Sequence, residues 1–482
     1  MKRFLILAMI IGFVFSFVAQ AAAVTFQARG DWRVHFNYVE NPRFNKDFKD
    51  DKFQAMQRMR TSFEFIASEN LRGVLRITTD NVRWGERAAT GQFDVGETVS
   101  LGFDQAYIEY YVPSTKINVK AGLQTVVLPN TLGSHILDSE EYGVVASTPV
   151  NQKLGLTLGW LRVNDKRERW DLGGGNFEKS RDEVDLLFTV APFTLEGLQI
   201  NPFLAYARAG KYAPISYTDF YGNNPFWVDA SGFNWKQMNV FWAGINMTLN
   251  RFDPWVVNAD FNYGQSSRYL SYTEPDNIYL VGDKIGETAG WIASLSVACK
   301  MDMMTPELFF LYESGESRTS LRGDKKGRRM PALTPRLTMS SFAFNGSNFG
   351  SDPGHAAGQV PAFTQRSAMN MLRTTGMWAA GFRLGDISLM DRVSHDFLLA
   401  YYRGTNHKDY LDEEVGNQVF TTRDYLWEIN FDTTYQMYDN LAAILELGYI
   451  NVNRASRTNN GDPVDVPGDN SWKAAFGFRY QF

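Results

Sequence analysis

The sequence predicts an all-β protein, a transmembrane antiparallel β-barrel of about 18 strands, with 16 as the alternative count. Three observations predict this fold. Apolar and polar residues alternate over segments of ten or more residues, and short and long connections alternate between those segments. The composition is also rich in aromatic residues (15%) and glycine (40 of 482 residues), at a mean hydropathy of −0.29. A barrel that crosses a membrane needs an apolar residue only at every second position of each strand.

The amino terminus has the layout of a secretory signal peptide. Two basic residues precede an apolar run over residues 4–19, and an A-x-A cleavage site ends at Ala23. The alternative is a membrane-anchoring helix, which needs about 20 apolar residues, and this run is shorter. We therefore expect residues 1–23 to be cleaved on export to the periplasm, leaving residues 24–482 as one barrel domain.

Charge and residue usage exclude several classes of function. The formal net charge of −5 becomes −7 without the two basic residues of the signal, whereas a nucleic-acid binder usually carries a clustered basic excess. Cys299 is the only cysteine, so there is no thiolate cluster for a metal, and the five histidines show no ligand spacing. Neither G-x-S-x-G, H-E-x-x-H nor a Walker A motif occurs. The sequence therefore predicts no catalytic residue, metal, cofactor or nucleic-acid partner.

The first predicted strand shows the alternation over 14 residues. Its apolar face consists of Phe26, Ala28, Gly30, Trp32, Val34, Phe36 and Tyr38. Its polar face consists of Gln27, Arg29, Asp31, Arg33, His35 and Asn37. A repeat of two residues excludes a helix, in which apolar residues recur about every 3.6 positions. The segment is also longer than the usual soluble strand of about 5–6 residues.

The same pattern predicts 18 strands, of which the sixth is the least marked. They cover residues 25–38, 58–67, 71–80, 102–112, 116–124, 142–148, 153–163, 183–192, 198–208, 236–250, 255–265, 288–300, 306–314, 371–385, 393–404, 421–437, 440–453 and 471–482. Brief turns alternate strictly with long segments between these strands. Membrane barrels have short periplasmic turns and long external loops, and an even strand count places both termini on the periplasmic side.

The carboxyl-terminal strand carries the most specific local signal. Phe478, Tyr480 and the terminal Phe482 alternate along one apolar face. In this strand, and in the layout of the whole mature chain, the sequence resembles the Gram-negative outer-membrane porins, whose final strand ends in an aromatic residue. Within that family it looks most like the homotrimeric porins of sulfate-reducing, Desulfovibrio-type bacteria.

The resemblance implies a multi-pass protein of the outer membrane, surrounded by membrane lipid and lipopolysaccharide. It also implies a homotrimer, and recognition of Phe478, Tyr480 and Phe482 by the barrel-assembly machinery. The function it implies is passive diffusion of small hydrophilic solutes and ions. A substrate-selective channel for sugars or small carboxylates is the alternative, and an enzyme in a barrel and a purely structural or adhesive barrel are two others.

Charged residues on the polar faces form the candidate site, because the partners of lipid-facing residues line the lumen. The predicted basic wall consists of Arg29, Arg33, Arg58, Arg60, Arg72, Arg76, Lys120, Lys473 and Arg479. The predicted acidic wall consists of Glu183, Asp185, Asp260, Glu307, Glu313, Glu428, Asp432 and Glu446. Opposed walls of like charge produce a transverse field that favours dipolar solutes. The alternative is that these charges only solvate the interior.

Two connections carry further expectations. By the porin resemblance, loop 126–141 folds into the lumen, and its acidic residues Asp138, Glu140 and Glu141 face the basic wall. Loop 315–370 is the longest connection, with basic residues near its start and a later half rich in Ser, Gly, Ala and Phe. Three roles stay open for it: binding of lipopolysaccharide, a cap on the pore mouth, and disorder.

Overall fold

The chain closes into one barrel of 18 antiparallel strands in the computed structural model. The strands are β1 Thr25–Glu40, β2 Asp51–Ser68, β3 Leu71–Thr78, β4 Gly102–Tyr111, β5 Asn118–Val127, β6 Asp138–Pro149, β7 Gly155–Asn164, β8 Val184–Val190, β9 Leu198–Ala209, β10 Met238–Phe252, β11 Trp255–Ser266, β12 Thr288–Cys299, β13 Thr305–Glu313, β14 Met377–Met390, β15 Val393–Gly404, β16 Tyr425–Tyr438, β17 Leu441–Asn453 and β18 Asn470–Gln481.

The structure describes most of the mature chain. The described residues are 24–42, 44, 51–79, 82–85, 101–165, 183–210, 233–235, 237–267, 270–272, 287–321, 325–349, 372–408, 420–455, 457–459, 462–464 and 468–482. The predicted signal peptide, residues 1–23, lies outside them. Beside the barrel strands there are short strands at Val82–Arg83, Gly133–Ser134, Phe193–Leu195, Phe233–Trp235, Leu270–Tyr272, Pro331–Ala332, Arg336–Leu337, Leu372–Arg373, Arg457–Asn459 and Asp462–Val464.

One short helix, Arg318–Leu321, occurs in the described part of the chain. No helix within the described ranges is long and apolar enough to cross a membrane.

Every barrel strand pairs with the next one along the chain, and β18 pairs with β1 from Asp31↔Gln481 to Glu40↔Trp472. The predicted count of 18 is confirmed, and the alternative of 16 is excluded. The sixth strand, the least marked in the sequence, pairs with both of its neighbours. Closure satisfies the backbone hydrogen bonds of every strand and leaves no sheet edge.

The two faces of each strand differ as the alternation predicts. On β1, Trp32 and Tyr38 point outward and are exposed, whereas the inward-facing His35 and Asn37 are each 1% exposed. Large apolar side chains cover the outside of the barrel on all sides, and among them Leu308 is 63% and Trp427 44% exposed. A surface of this kind is stable only against an apolar environment.

The inner wall between β7 and β11 is apolar rather than polar. Its inward-facing side chains, Leu161, Leu186, Ala207, Val240 and Trp242, are completely buried. They belong to one apolar cluster that also contains side chains from two loops folded into the barrel. This side of the barrel therefore encloses a dry, packed core.

The last residue completes the seam between β18 and β1. The Gly30 N–H donates to the Phe482 carbonyl (2.8 Å), and the Phe482 N–H donates back to the Gly30 carbonyl (3.2 Å). The terminal ring lies on Gly30, edge-on to Trp32 at 5.4 Å and stacked on Tyr480 at 5.2 Å. The terminal aromatic residues thus share the outward face, as the sequence predicts, and their role as an assembly signal stays a prediction.

Candidate functional site

Residues 325–349, which we call the long inner loop, lie inside the barrel. Seven of its apolar side chains are between 0% and 3% exposed: Met330, Leu333, Leu337, Met339, Phe342, Phe344 and Phe349. Packing against the inner wall was not among the three roles considered for loop 315–370. The physical reason is that these side chains bury apolar surface against the apolar side of the lumen.

A buried ion pair fastens the long inner loop to β17 and β18. The Lys473 ammonium donates to Glu446 Oε2 (2.6 Å) and to the Ser341 carbonyl (2.7 Å), and both charged side chains are completely buried. Glu446 also accepts hydrogen bonds from the Ser347 hydroxyl and the Asn348 N–H, each at 2.7 Å. The two charges compensate each other, and the loop supplies the remaining hydrogen bonds of both groups. We call this arrangement the latch.

A second carboxylate, on β16, holds the same loop. Glu428 accepts hydrogen bonds from the Ala343 N–H (3.0 Å), the Tyr402 hydroxyl (2.9 Å) and the Asn430 amide (2.8 Å). Nearby, the Arg383 guanidinium donates to the Met339 carbonyl at 2.6 Å. The loop is therefore attached to the wall through its backbone as well as its apolar side chains.

The predicted acidic wall is corrected by these contacts. Glu428 and Glu446 face inward but are completely buried beneath the long inner loop, and Glu313 is 2% exposed. Asp185 lies on the outward face of β8, beside the 53% exposed Leu187, and pairs with Arg162 (2.7 Å). The predicted inward position of Asp185 was wrong because the inner face of β8 packs against protein and is not in contact with water.

Residues 128–137, which we call the short inner loop, also fold into the lumen and contact β10 and β11. The Thr131 N–H donates to Asp260 Oδ2 (2.8 Å), and the Asn262 amide donates to Asn130 Oδ1 (2.9 Å). His135 Nε2 lies 3.9 Å from Asp260 Oδ1. Burial lowers the pKa of His135, and the charge of Asp260 opposes this shift.

The two inner loops pair with each other. Arg336–Leu337 and Gly133–Ser134 form a small antiparallel ladder, and the Thr338 N–H donates to the Leu132 carbonyl at 3.1 Å. An inward-folding loop after the fifth strand, expected from the porin resemblance, is therefore present. It pairs with a second, longer loop whose position inside the barrel was not predicted.

The three acidic residues expected in the constriction loop lie elsewhere. Asp138, Glu140 and Glu141 belong to β6, because the ladder between β5 and β6 extends to Val127↔Asp138 and shortens the loop. Glu140 contacts the basic wall through Arg76 at 3.1 Å. Glu141 is 6% exposed and accepts a hydrogen bond from the Ser139 hydroxyl (2.7 Å).

Five arginines of the predicted basic wall lie close together on β18, β1, β2 and β3: Arg33, Arg58, Arg60, Arg76 and Arg479, which we call the arginine patch. Arg58, Arg33 and Arg479 are direct register partners on three neighbouring strands. Two residue pairs further along the same ladder, and therefore on the same face, Arg60 is the partner of Asp31. Cα atoms of such partners are about 4.5–5.5 Å apart, so four guanidinium groups share one patch of wall.

Two carboxylates, of Asp31 and Asp104, compensate part of this charge. Asp31 contacts Arg33 (2.5 Å) and Arg479 (2.6 Å). Asp104 contacts Arg60 (2.8 Å) and Arg76 (3.4 Å). The side chains of Arg60, Arg76 and Arg479 remain between 20% and 30% exposed. This wall therefore faces accessible space, unlike the buried acids beneath the long inner loop.

The other predicted basic residues lie outside this patch. Arg72 is held by Glu64 (3.1 Å) and Glu109 (2.6 Å), and Arg29 is 67% exposed at 3.9 Å from Glu64. Lys120 lies 5.6 Å from the ring centre of Tyr107. Lys473 belongs to the latch rather than to the wall. The candidate site is thus the space between the arginine patch and the two inner loops.

Comparisons with known proteins agree with the architecture. No family model matches the chain, and no curated protein matches it. The solved structure of OccAB1 from Acinetobacter baumannii is similar over 96% of this chain and 99% of that one, at a TM-score of 0.50 and 10% identity. OpdL of Pseudomonas aeruginosa (12% identity, 95% and 98% covered, TM-score 0.49) and OprD of the same organism (13%, 97% and 99%, 0.47) are also similar. The similarity to OccAB1 shows the fold, a closed antiparallel β-barrel.

Proposed function

We propose that the protein is a channel of the bacterial outer membrane through which small hydrophilic solutes and ions diffuse passively. The observation that supports the proposal is the difference in polarity between the outer and the inner face of the barrel. Apolar side chains cover the outside, while an accessible patch of arginines and carboxylates lines one side of the inside. A barrel of this kind provides a polar path across an apolar layer.

Planar-bilayer recording of the purified protein tests this proposal. We expect stepwise conductance in salt solution and a preference for anions. Replacing Arg58, Arg60 and Arg76 together with alanine should lower the conductance and shift the reversal potential toward cations, since the patch loses three positive charges. A folded barrel without conductance would support a structural or adhesive role instead. Unchanged conductance and ion preference in the triple variant would show that the arginine patch is not the constriction.

A second candidate function is a substrate-selective channel for sugars or small carboxylates. The observation that favours it is the extent to which the two inner loops fill the lumen, since a narrow passage brings each solute into contact with its walls. Conductance blocked saturably by one sugar or one carboxylate, and not by others of equal size, would distinguish this function from general diffusion.

The proposed channel function also implies how the protein is processed, where it lies and how it assembles. We propose that the mature protein begins near residue 24 and lies among outer-membrane lipid and lipopolysaccharide. We also propose that the barrel-assembly machinery inserts it by recognising Phe478, Tyr480 and Phe482, and that it forms a homotrimer. The apolar outer surface and the outward position of the terminal rings support this. Amino-terminal sequencing of the exported protein and chemical cross-linking in isolated membranes test the cleavage site and the trimer separately.

A further inference from the structure

We propose that the arginine patch binds a tetrahedral divalent oxyanion, of the sulfate or phosphate type, between Arg58 and Arg33, with Arg60 beside them. The inference rests on the proposed channel function, which would bring the anion to the site through the lumen. It goes beyond general anion preference because it assigns a saturable site to named residues.

Arg58 is the residue that points to a ligand. It faces inward on β2 and is 8% exposed, and its Nε is buried without a hydrogen-bond partner. Within the described part of the chain, no carboxylate lies at ion-pair distance from it, whereas Arg33, Arg60, Arg76 and Arg479 each contact at least one. Removing a guanidinium from water without a compensating anion is unfavourable, so this position is suited to a ligand that supplies the missing charge.

The cross-strand register adds a second observation. Arg58 and Arg33 are direct partners on adjacent strands, and Arg479 is the partner of Arg33 on the other side. Like charges directly opposite each other destabilise a sheet. Asp31 contacts Arg33 and Arg479, and Arg58 is left as the member of this row without such a contact. An anion between Arg58 and Arg33 relieves the remaining repulsion.

The charge balance of the patch selects the class of anion. The patch holds five guanidinium groups, of Arg33, Arg58, Arg60, Arg76 and Arg479. In the described structure, all of them except Arg58 contact one or more of three carboxylates: Asp31, Asp104 and Glu140. Five positive charges against three negative ones leave an excess of two, which a dianion neutralises. A tetrahedral dianion also directs oxygens toward two guanidinium groups at once, whereas chloride and a monocarboxylate carry a single charge.

Titration calorimetry of the detergent-solubilised protein with sodium sulfate, and separately with sodium phosphate above neutral pH, measures binding whether or not the barrel conducts. We expect saturable binding of both, with sodium acetate and sodium chloride as competitors that bind more weakly. Arg58→Gln should weaken sulfate binding by about tenfold or more, the scale of a charge-assisted hydrogen bond. Arg58→Lys should have a sulfate affinity between those of the wild-type protein and Arg58→Gln, since it keeps the charge but loses the planar donor pair.

Arg162→Gln is the matched control, since it also removes one guanidinium but from the outer face, where Arg162 contacts Asp165 and Asp185. It should leave sulfate binding unchanged.

In bilayers, sulfate should reduce the chloride current of the wild-type channel saturably, and Arg58→Gln should abolish the block. Absence of sulfate binding, equal binding by Arg58→Gln, or stronger binding of acetate than of sulfate overturns the inference. Sulfate binding by a barrel that does not conduct would overturn the proposed channel and leave the site supported.

Discussion

Gly30 lacks a side chain at the place where the terminal ring of Phe482 rests. A Cβ atom there would lie 2.2 Å from Cε1 of that ring. We expect Gly30→Ala to displace the ring and to lower the free energy of unfolding by about 1–3 kcal/mol, the range for overpacking. Urea titration of the folded barrel in detergent, with heat-modifiable migration as the readout, measures the change. Gly73→Ala is the control, because a Cβ at Gly73 meets nothing within 4 Å; equal effects would contradict the packing argument.

At the residue scale, the sequence predicted which side chains share a face but not always which face is wet. On β1 the polar face is uniformly polar, and its inward position was correct. On β8 both faces carry apolar residues, so the charge of Asp185 suggested the inward side. That inference fails wherever the inner wall packs against protein, because Leu186 then belongs inside and Asp185 pairs with Arg162 outside.

The latch contributes to holding the long inner loop through an ion pair that is buried between β17 and β18. Lys473→Met leaves the Glu446 carboxylate buried without its cation, a change that costs about 3–5 kcal/mol in a folded protein. We expect a correspondingly lower free energy of unfolding, together with a larger and noisier single-channel conductance as the loop loosens. Adding Glu446→Gln should restore part of the stability, since the double variant leaves no unpaired charge.

The ion pair between Arg392 and Asp439 provides the control for the latch. It joins two turns and its side chains are 50% and 98% exposed. Arg392→Met removes the same kind of contact and should change neither the stability nor the conductance measurably. If Lys473→Met behaves like this control, the long inner loop is held by its apolar side chains and its contacts with Glu428 and Arg383, and not by the latch.

The ladder between the two inner loops can be tested by cross-linking. Ser134 and Arg336 are direct partners in an antiparallel pair, so their Cα atoms lie within the range of about 4.4–6.8 Å that a disulfide spans. In a Cys299→Ser background, we expect Ser134→Cys with Arg336→Cys to form a disulfide, detected as a mobility shift without reductant. Lys326→Cys is not a partner of Ser134, so the pair Ser134→Cys with Lys326→Cys should stay reduced. Cross-linking of both pairs, or of neither, would contradict the observed ladder.

At the scale of elements, all 18 strands could be predicted because alternation is a local signal. The shift of β6 to Asp138–Pro149 could not, since it depends on how far a ladder with β5 extends. The long inner loop was missed for a similar reason, because its contacts join residues about 100 positions apart, such as Ser347 and Glu446. One signal was present in the sequence. A connection containing Met330, Leu333, Leu337 and Phe342 is too apolar to be a solvated loop.

For the whole molecule, the apolar side of the lumen determines where water can pass. The described inner surface is packed from β7 to β17, where Ala207 and Ile450 are completely buried, and is accessible near β18 and β1–β4. Opposed basic and acidic walls were predicted on the two sides of a water-filled constriction. The bore is instead narrowed from one side, so the arginine patch faces protein loops rather than a free acidic wall.

This asymmetry predicts unequal reactivity of two inward-facing positions. In a Cys299→Ser background, Ser62→Cys on β2 should react with a charged, membrane-impermeant thiol reagent and reduce the conductance, because Ser62 is partly exposed on the inner face beside Arg76. Ala207→Cys on β9 should neither react nor change the current, since the core around it excludes water. Stepwise block of single channels reports each modification. Equal block at both positions would mean that the side of the lumen between β7 and β11 is hydrated, and that the inner loops do not restrict passage to the arginine side.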